Sequence, residues 1–150
     1  MIKHKGGCHC GEITFSTSYD PMLKSLCNCS RCRKIFGTVN AHVIYSESEV
    51  EVSGEAKKYT CMGGSGMPVH IFFCSECGCR VYGKPEAFEG FIVIPVGAFD
   101  DPHLFKPAAE IFTNYKLDWI NSSSVKESFE EAAVMKRIQL LMENLDQREQ

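Results

Sequence analysis

The sequence predicts a mainly β domain that ends in one helix, and three observations support this fold class. Up to about residue 120, short runs of Val, Ile, Phe, Thr and Tyr alternate with Gly, Pro, Asn and Asp, as strands alternate with turns. Beyond that point apolar residues recur at helical spacing. The nine cysteines fall largely into short CxC and CxxC groups, which indicate metal ligands that join the strands.

Length and composition fit one soluble globular unit. A chain of 150 residues with 44% hydrophobic and 23% charged residues has the balance of a folded domain. The formal charge of −3 and the small basic group of Arg31, Arg33 and Lys34 do not indicate a nucleic-acid surface. Apolar runs are too short to cross a membrane, and the N-terminus lacks a signal-peptide segment. We therefore expect a cytoplasmic protein.

The strands follow one another from the N-terminus and are expected to pair mostly antiparallel. Val50–Ser53 alternates apolar and polar residues, as a strand with one solvated face does. Residues 91–94 are continuously apolar, which is typical of a central strand. The predicted strands are residues 12–17, 22–27, 40–44, 50–53, 58–61, 69–73, 80–82, 91–96 and 110–113.

A C-terminal amphipathic helix is predicted from Ser124 onward. Ser124 and Glu127 have the spacing of a capping box. Apolar residues then recur at helical spacing, at Val134, Ile138, Leu141 and Leu145. We therefore expect a β domain over residues 1–120 and a helical extension over residues 121–150. We expect the helix to pack on its own sheet; a surface that forms a homo-oligomer or binds a partner is the alternative.

We expect zinc because the cysteines form three groups. In chain order these are Cys8 with Cys10, Cys27 with Cys29 and Cys32, and Cys74 with Cys77. In a cytoplasmic chain such groups indicate metal ligands rather than disulfides. Tetrahedral zinc needs four sulfurs close together, which no single group supplies. The first and third groups together would complete a closed structural site from Cys8, Cys10, Cys74 and Cys77.

The middle group differs, because Cys27, Cys29 and Cys32 supply three thiolates and leave one tetrahedral position open. An open position is typical of catalytic zinc. Zinc with three thiolates suits the holding of an incoming thiol as its thiolate better than the generation of hydroxide. Alternatively, Cys61 or Cys79 closes this shell and makes the second site inert.

Histidines are weaker candidates for these sites. His9 lies between two presumed ligands and is expected to form hydrogen bonds rather than to bind the metal. His42 and His70 lie in strand-like contexts, where a structural histidine is the usual occurrence.

These residues resemble the glutathione-dependent formaldehyde-activating enzyme (GFA) family, whose relatives include centromere protein V. The resemblance covers about the first 120 residues and leaves the terminal helix outside. It rests on the segments 7–11 (GCHCG), 27–34 (CNCSRCRK) with Gly37, 73–78 (FCSECG), 97–102 (GAFDDP), Pro107, Ile111 and 119–120 (WI).

The resemblance implies a β-tent of antiparallel sheets with two zinc ions per chain. It assigns a structural ion to Cys8, Cys10, Cys74 and Cys77, and a catalytic ion to Cys27, Cys29 and Cys32. The implied activity is that of a carbon–sulfur lyase, which reversibly joins the small-molecule thiol glutathione to formaldehyde. The alternative is a noncatalytic binding module with two structural zinc sites.

Two residues depart from the family pattern. The usual histidine between the first two catalytic cysteines is Asn28 in this chain. A second usual histidine, shortly before the late apolar pair, is Glu110. Asparagine does not titrate, so Asn28 removes either a proton shuttle or a hydrogen bond beside the metal that the family histidine would offer.

Overall fold

The computed structural model describes residues 1–148 and consists mainly of short β-strands, with two α-helices among these residues. The predicted mainly β fold with a C-terminal helix is confirmed. In chain order the elements are β1 (His4–Gly7), β2 (Thr14–Thr17), β3 (Leu23–Cys27), α1 (Ser30–Phe36), β4 (Asn40–Ser46), β5 (Val50–Ser53), β6 (Ala56–Met62), β7 (Pro68–Cys74), β8 (Arg80–Pro85), β9 (Phe91–Pro95), β10 (Ala109–Ile111), β11 (Glu127–Ser128) and α2 (Val134–Arg148).

The strands form two sheets over the described residues. The smaller sheet has the antiparallel order β1-β2-β5, and the larger has the order β11-β10-β3-β4-β9-β8-β7-β6. Pairing in the larger sheet is antiparallel from β3 to β6, as expected. Strand β10 differs, because it runs parallel to both of its neighbours, β3 and β11. This parallel pair brings the end of β10 beside Cys27.

The main core contains side chains from both sheets. Phe15 of the smaller sheet packs edge-to-face on Phe99, with ring centroids 4.9 Å apart. Strands β4 and β9 supply the fully buried centre of this core, at Val43, Tyr45, Ile92 and Ile94. The predicted central position of residues 91–94 is therefore correct. Cys74 belongs to the same core, with Cys8 and Cys77 packed against it.

Strand β1 lacks the β-branched residues on which strand prediction depends, and its last two residues are glycines. Gly6 allows two backbone segments to approach closely, because a Cβ there would lie 2.0 Å from the carbonyl oxygen of Ala98. The sequence pattern does not indicate this strand because tertiary packing, rather than propensity, selects it.

The predicted start of the terminal helix at Ser124 is wrong. Helix α2 begins at Val134, and Glu127–Ser128 forms β11 instead. The Ser124 hydroxyl does not act as a helix cap and donates a 2.6 Å hydrogen bond to the carbonyl oxygen of Pro107. Pairing with β10 satisfies the backbone before the helix and therefore overrides the local capping signal.

Helix α2 packs on its own sheet, as expected. Leu141 is fully buried in a cluster with Met22, Leu23, Ile44 and Phe88. The side-chain amide of Asn144 also donates a hydrogen bond to the carbonyl oxygen of Met22. The side chain of Leu145 lies outside the described part of the chain.

Within residues 1–148, neither helix combines the length and the apolar character that crossing a membrane requires.

Candidate metal centres

Four cysteines meet at one end of the core, although they come from distant parts of the chain. Their sulfurs all lie within 4.8 Å of one another: Cys8, Cys10, Cys74 and Cys77. Cys10 Sγ lies 3.6 Å from both Cys8 Sγ and Cys74 Sγ. Tetrahedral zinc with bonds of about 2.3 Å separates its sulfurs by about 3.8 Å. The predicted group of four therefore forms, and its donor set fits zinc.

Backbone amides donate hydrogen bonds to two of these sulfurs. Ile13 donates to Cys8 Sγ at 3.3 Å, and Glu76 donates to Cys74 Sγ at 3.4 Å. Hydrogen bonds with the backbone of Cys10 and Cys79 lower the pKa of Cys77 to about 5. Since zinc binds thiolates, the lowered pKa of Cys77 favours metal binding at this cluster.

Cys79 lies beside this first cluster. Its sulfur accepts a 3.4 Å hydrogen bond from the backbone amide of His9. Cys79 therefore lies at the first cluster and does not close the three-cysteine site, which was one of the two alternatives for that site. The backbone of His9, rather than its ring, makes this contact.

The second cluster forms where β3 passes into α1. Cys27 ends β3, Cys29 caps the helix and Cys32 lies in its first turn; their three sulfurs lie within 4.8 Å of one another. The Cys32 amide donates to Cys29 Sγ at 3.3 Å, as an N-terminal cap requires. Cys27 and Cys29 are 5% and 3% exposed. A tight strand-to-helix turn thus supplies two buried cysteines and one half-buried cysteine.

The three thiols compete for protons. Hydrogen bonds with Cys27 and Cys32 lower the pKa of Cys29 to about 2. The hydrogen bond with Cys29 raises the pKa of Cys27 to about 11, and hydrogen bonds with Cys27 and Cys29 also raise that of Cys32. The three sulfurs therefore lie close enough for each to perturb the pKa of the others. A cation that replaces the thiol protons would satisfy all three sulfurs.

The second cluster opens onto a cavity of about 140 Å³. Most of its wall is apolar, and it includes Ile35, Val69, Phe88, Val93, Ile111 and Phe112. Cys61 lines the cavity from β6 but lies outside the group of sulfurs within 4.8 Å. Among the described residues, the second group thus holds three cysteines beside a cavity, whereas the first holds four.

These two clusters and the sheets that carry them agree with a family match. The family model for the glutathione-dependent formaldehyde-activating enzyme matches residues 3–115. The chain belongs to this GFA family. The match ends before β11 and α2.

Individual relatives are distant. A curated GFA protein from Emericella nidulans is 28% identical over 87 residues, a match that covers 56% of this chain and 44% of that protein. The chain therefore spans less than half of that relative. A Rhodobacter sphaeroides protein of known crystal structure is 18% identical to this chain, and its fold matches with a TM-score of 0.48. The match covers 83% of this chain and 98% of the Rhodobacter sphaeroides chain.

Both departures from the GFA pattern have structural roles. Asn28 is 5% exposed, and its backbone and side-chain amides both donate to the carbonyl oxygen of Ile111 at 3.1 Å. Burial raises the pKa of Glu110, but hydrogen bonds with Lys116 and Ser128 outweigh it and leave the pKa below its ordinary value. Asn28 therefore fixes the cysteine turn on β10, and Glu110 remains ionised.

Two cavity residues were not among the predicted site residues. His42, expected to be structural, is 3% exposed. Its Nδ1 lies 3.3 Å from the carbonyl oxygen of Asn40, and its Nε2 has no hydrogen-bond partner among the described residues. Burial, followed by the nearby charge of Arg137, lowers its pKa to about 4, so the ring is neutral.

Arg137 lines the same cavity from α2. A sequence signal for it exists, since Arg137 follows Val134 by three residues and precedes Leu141 by four. A cation at that spacing lies on the apolar face of the helix.

Proposed function

We propose that this GFA-family chain is a zinc-dependent carbon–sulfur lyase that joins a thiol to a small aldehyde, with glutathione as the model thiol. One observation carries the proposal: the three-cysteine cluster faces a cavity, whereas the other cluster holds a complete set of four sulfurs. A complete set is typical of structural zinc, and an incomplete set is typical of a reactive site. The family of the chain agrees with this chemistry.

The residues would divide the work between the two centres. Cys8, Cys10, Cys74 and Cys77 would hold a structural zinc ion, and Cys27, Cys29 and Cys32 would hold the reactive one. Zinc bound at the second cluster would keep an incoming thiol deprotonated near neutral pH. The cavity beside the second cluster and the hydrogen bonds of Asn28 would supply the other conditions for the reaction.

The apolar wall would exclude water and hold the aldehyde beside the thiol, so that two dilute reactants react as neighbours. Sulfur attacks the carbonyl carbon, a carbon–sulfur bond forms, and the carbonyl oxygen takes up the proton that the thiol has lost. Asn28 would keep the three sulfurs in place by its two hydrogen bonds to Ile111. Since Asn28 cannot carry a proton, another group would deliver it.

Exchange NMR with ¹³C-formaldehyde and glutathione tests the proposal, because it measures adduct formation above the spontaneous rate. The zinc-loaded protein should contain about two ions per chain by elemental analysis and should accelerate the exchange. Cys29→Ser should keep its fold and its first ion while the rate returns to the spontaneous value. Two zinc ions without any acceleration or thiol response would support the noncatalytic binding module instead.

A further inference from the structure

The segment after residue 115 lies outside the family match but covers the three-cysteine cluster. Ala132 is buried in the same apolar cluster as Cys27 and Cys29, with Phe129 and Val134 packed against it. The backbone amides of Phe112 and Thr113 donate to the carbonyl oxygens of Glu131 and Phe129. This packing fixes the position of α2 relative to the cluster.

Helix α2 brings Arg137 to the cavity. The Arg137 side chain is partly buried, and its Cζ lies 4.7 Å from the centroid of the Phe88 ring. Its Nη1 makes a long 3.5 Å hydrogen bond to the carbonyl oxygen of Ala132, and its buried Nε has no partner among the described residues. None of the ion pairs among the side chains that the structure describes includes Arg137.

A partly buried arginine without a carboxylate is unusual, because desolvation of the charge is costly unless another charge offsets it. The charged groups that face the cavity indicate which negative charge could compensate Arg137. Arg31 and Arg137 line it, and none of the described lining residues is acidic. Burial lowers the pKa of Arg137. Cys27, Cys29 and Cys32 line the same cavity as Arg137, and as metal-bound thiolates they would supply the negative charge that offsets it.

We propose that Arg137 supplies the positive charge that lets the three-cysteine centre accept a further thiolate, so the segment after residue 115 is part of the reactive site. The inference rests on the proposed function. Three thiolates already exceed the charge of one divalent ion, and a bound substrate thiolate adds another negative charge. A guanidinium stays protonated throughout the physiological pH range and stabilises that extra charge without taking part in proton transfer. Arg137 is in this sense a positioning residue.

Thiol titrations of the Co²⁺-substituted protein test the inference, because sulfur-to-cobalt absorption reports thiol binding without turnover. The probes are 2-mercaptoethanol, which has no carboxylate, and glutathione, which has two. Arg137→Met should weaken the binding of both thiols by on the order of tenfold. Arg137→Lys should recover part of the loss, because it keeps the charge but not the guanidinium geometry.

Lys136→Met is the matched control, since it removes the same charge from an exposed position on the same helix. It should bind both thiols as the wild type does. Equal binding by Arg137→Met and wild type would overturn the inference and leave the proposed function standing. A loss confined to glutathione would also overturn it, because Arg137 would then recognise a carboxylate.

Two further results separate structural failure from the proposed role. If Arg137→Met and Arg137→Lys both unfold, as judged by circular dichroism, Arg137 is a structural residue and the inference is wrong. If the wild-type cobalt spectrum does not respond to either thiol, the proposed function itself fails.

Discussion

Replacing Cys77 with serine should remove zinc from the four-cysteine cluster and destabilise the whole fold. Cys77 is a suitable site because it is only partly buried, so the change from sulfur to oxygen disturbs the core little. The cluster joins the turn after β1 to the end of β7, and Cys10 and Cys74 are 64 residues apart. A cross-link that closes a loop of this length contributes about 4 kcal/mol by loop entropy.

For a domain of this size, each kcal/mol changes the melting temperature by about 2–4 °C, so Cys77→Ser should melt roughly 8–16 °C lower. Thermal unfolding followed by circular dichroism, together with the zinc content of each variant, measures the effect. Cys61→Ser is the control, because Cys61 is a partly exposed thiol outside both clusters. It should melt close to the wild type.

Two results would refute this reasoning. One is a Cys77→Ser protein that keeps two zinc ions and melts with the wild type. The other is an equal loss of stability in Cys29→Ser, because the three-cysteine cluster lies within one turn and closes no long loop. In that case the two clusters would not differ in structural role.

Three further predictions concern other parts of the molecule. Cys29→Ser should retain about one zinc ion per chain and lose its response to thiols, as elemental analysis and thiol titration would show. Leu141→Ala should lower the free energy of unfolding by about 2–5 kcal/mol in urea, because Leu141 is fully buried under α2; an unchanged midpoint would mean that the helix does not hold this position in solution. Glu110→Gln should be less stable than wild type near neutral pH, and the difference should shrink as the pH falls through the lowered pKa of Glu110, because a depressed carboxylate pKa stabilises the fold only while the group is ionised. Urea unfolding at several pH values measures this, and a difference that grows in acid would contradict the paired carboxylate.

The strands that sequence reasoning located best are those with strong local signals. The alternating residues Val50–Ser53 form β5 with the predicted bounds, and the apolar run at residue 91 begins β9. Strand β1 and the true start of α2 have no such signal. Gly6 lies in a strand because it fits against Ala98, and Ser124 does not cap the helix because β11 pairs with β10. Long-range pairing decided both positions.

The same distinction separates the cysteine groups from the cavity. Short spacing brings Cys27, Cys29 and Cys32 together, so a chelating set could be recognised without knowledge of the fold. The position of Cys79 and the presence of Arg137 in the cavity depend on how distant elements pack. Spacing made Cys79 a candidate ligand but could not show which cluster it approaches, and Arg137 was not among the residues predicted for the site.

The topology also explains why two cysteine clusters in one small domain can differ in role. The first draws its sulfurs from two distant segments, the turn after β1 and the end of β7 with the turn that follows it. The second draws all three sulfurs from a single strand-to-helix junction. Side chains from other elements must therefore cover its remaining side. In this chain those elements are the apolar wall of the cavity and the partly buried Arg137 of α2. Chains that share the GFA cysteines but differ after residue 115 would therefore keep the metal ligands and differ in the charge beside the three-cysteine cluster. Grafting a different C-terminal segment should then change thiol affinity while leaving zinc content the same.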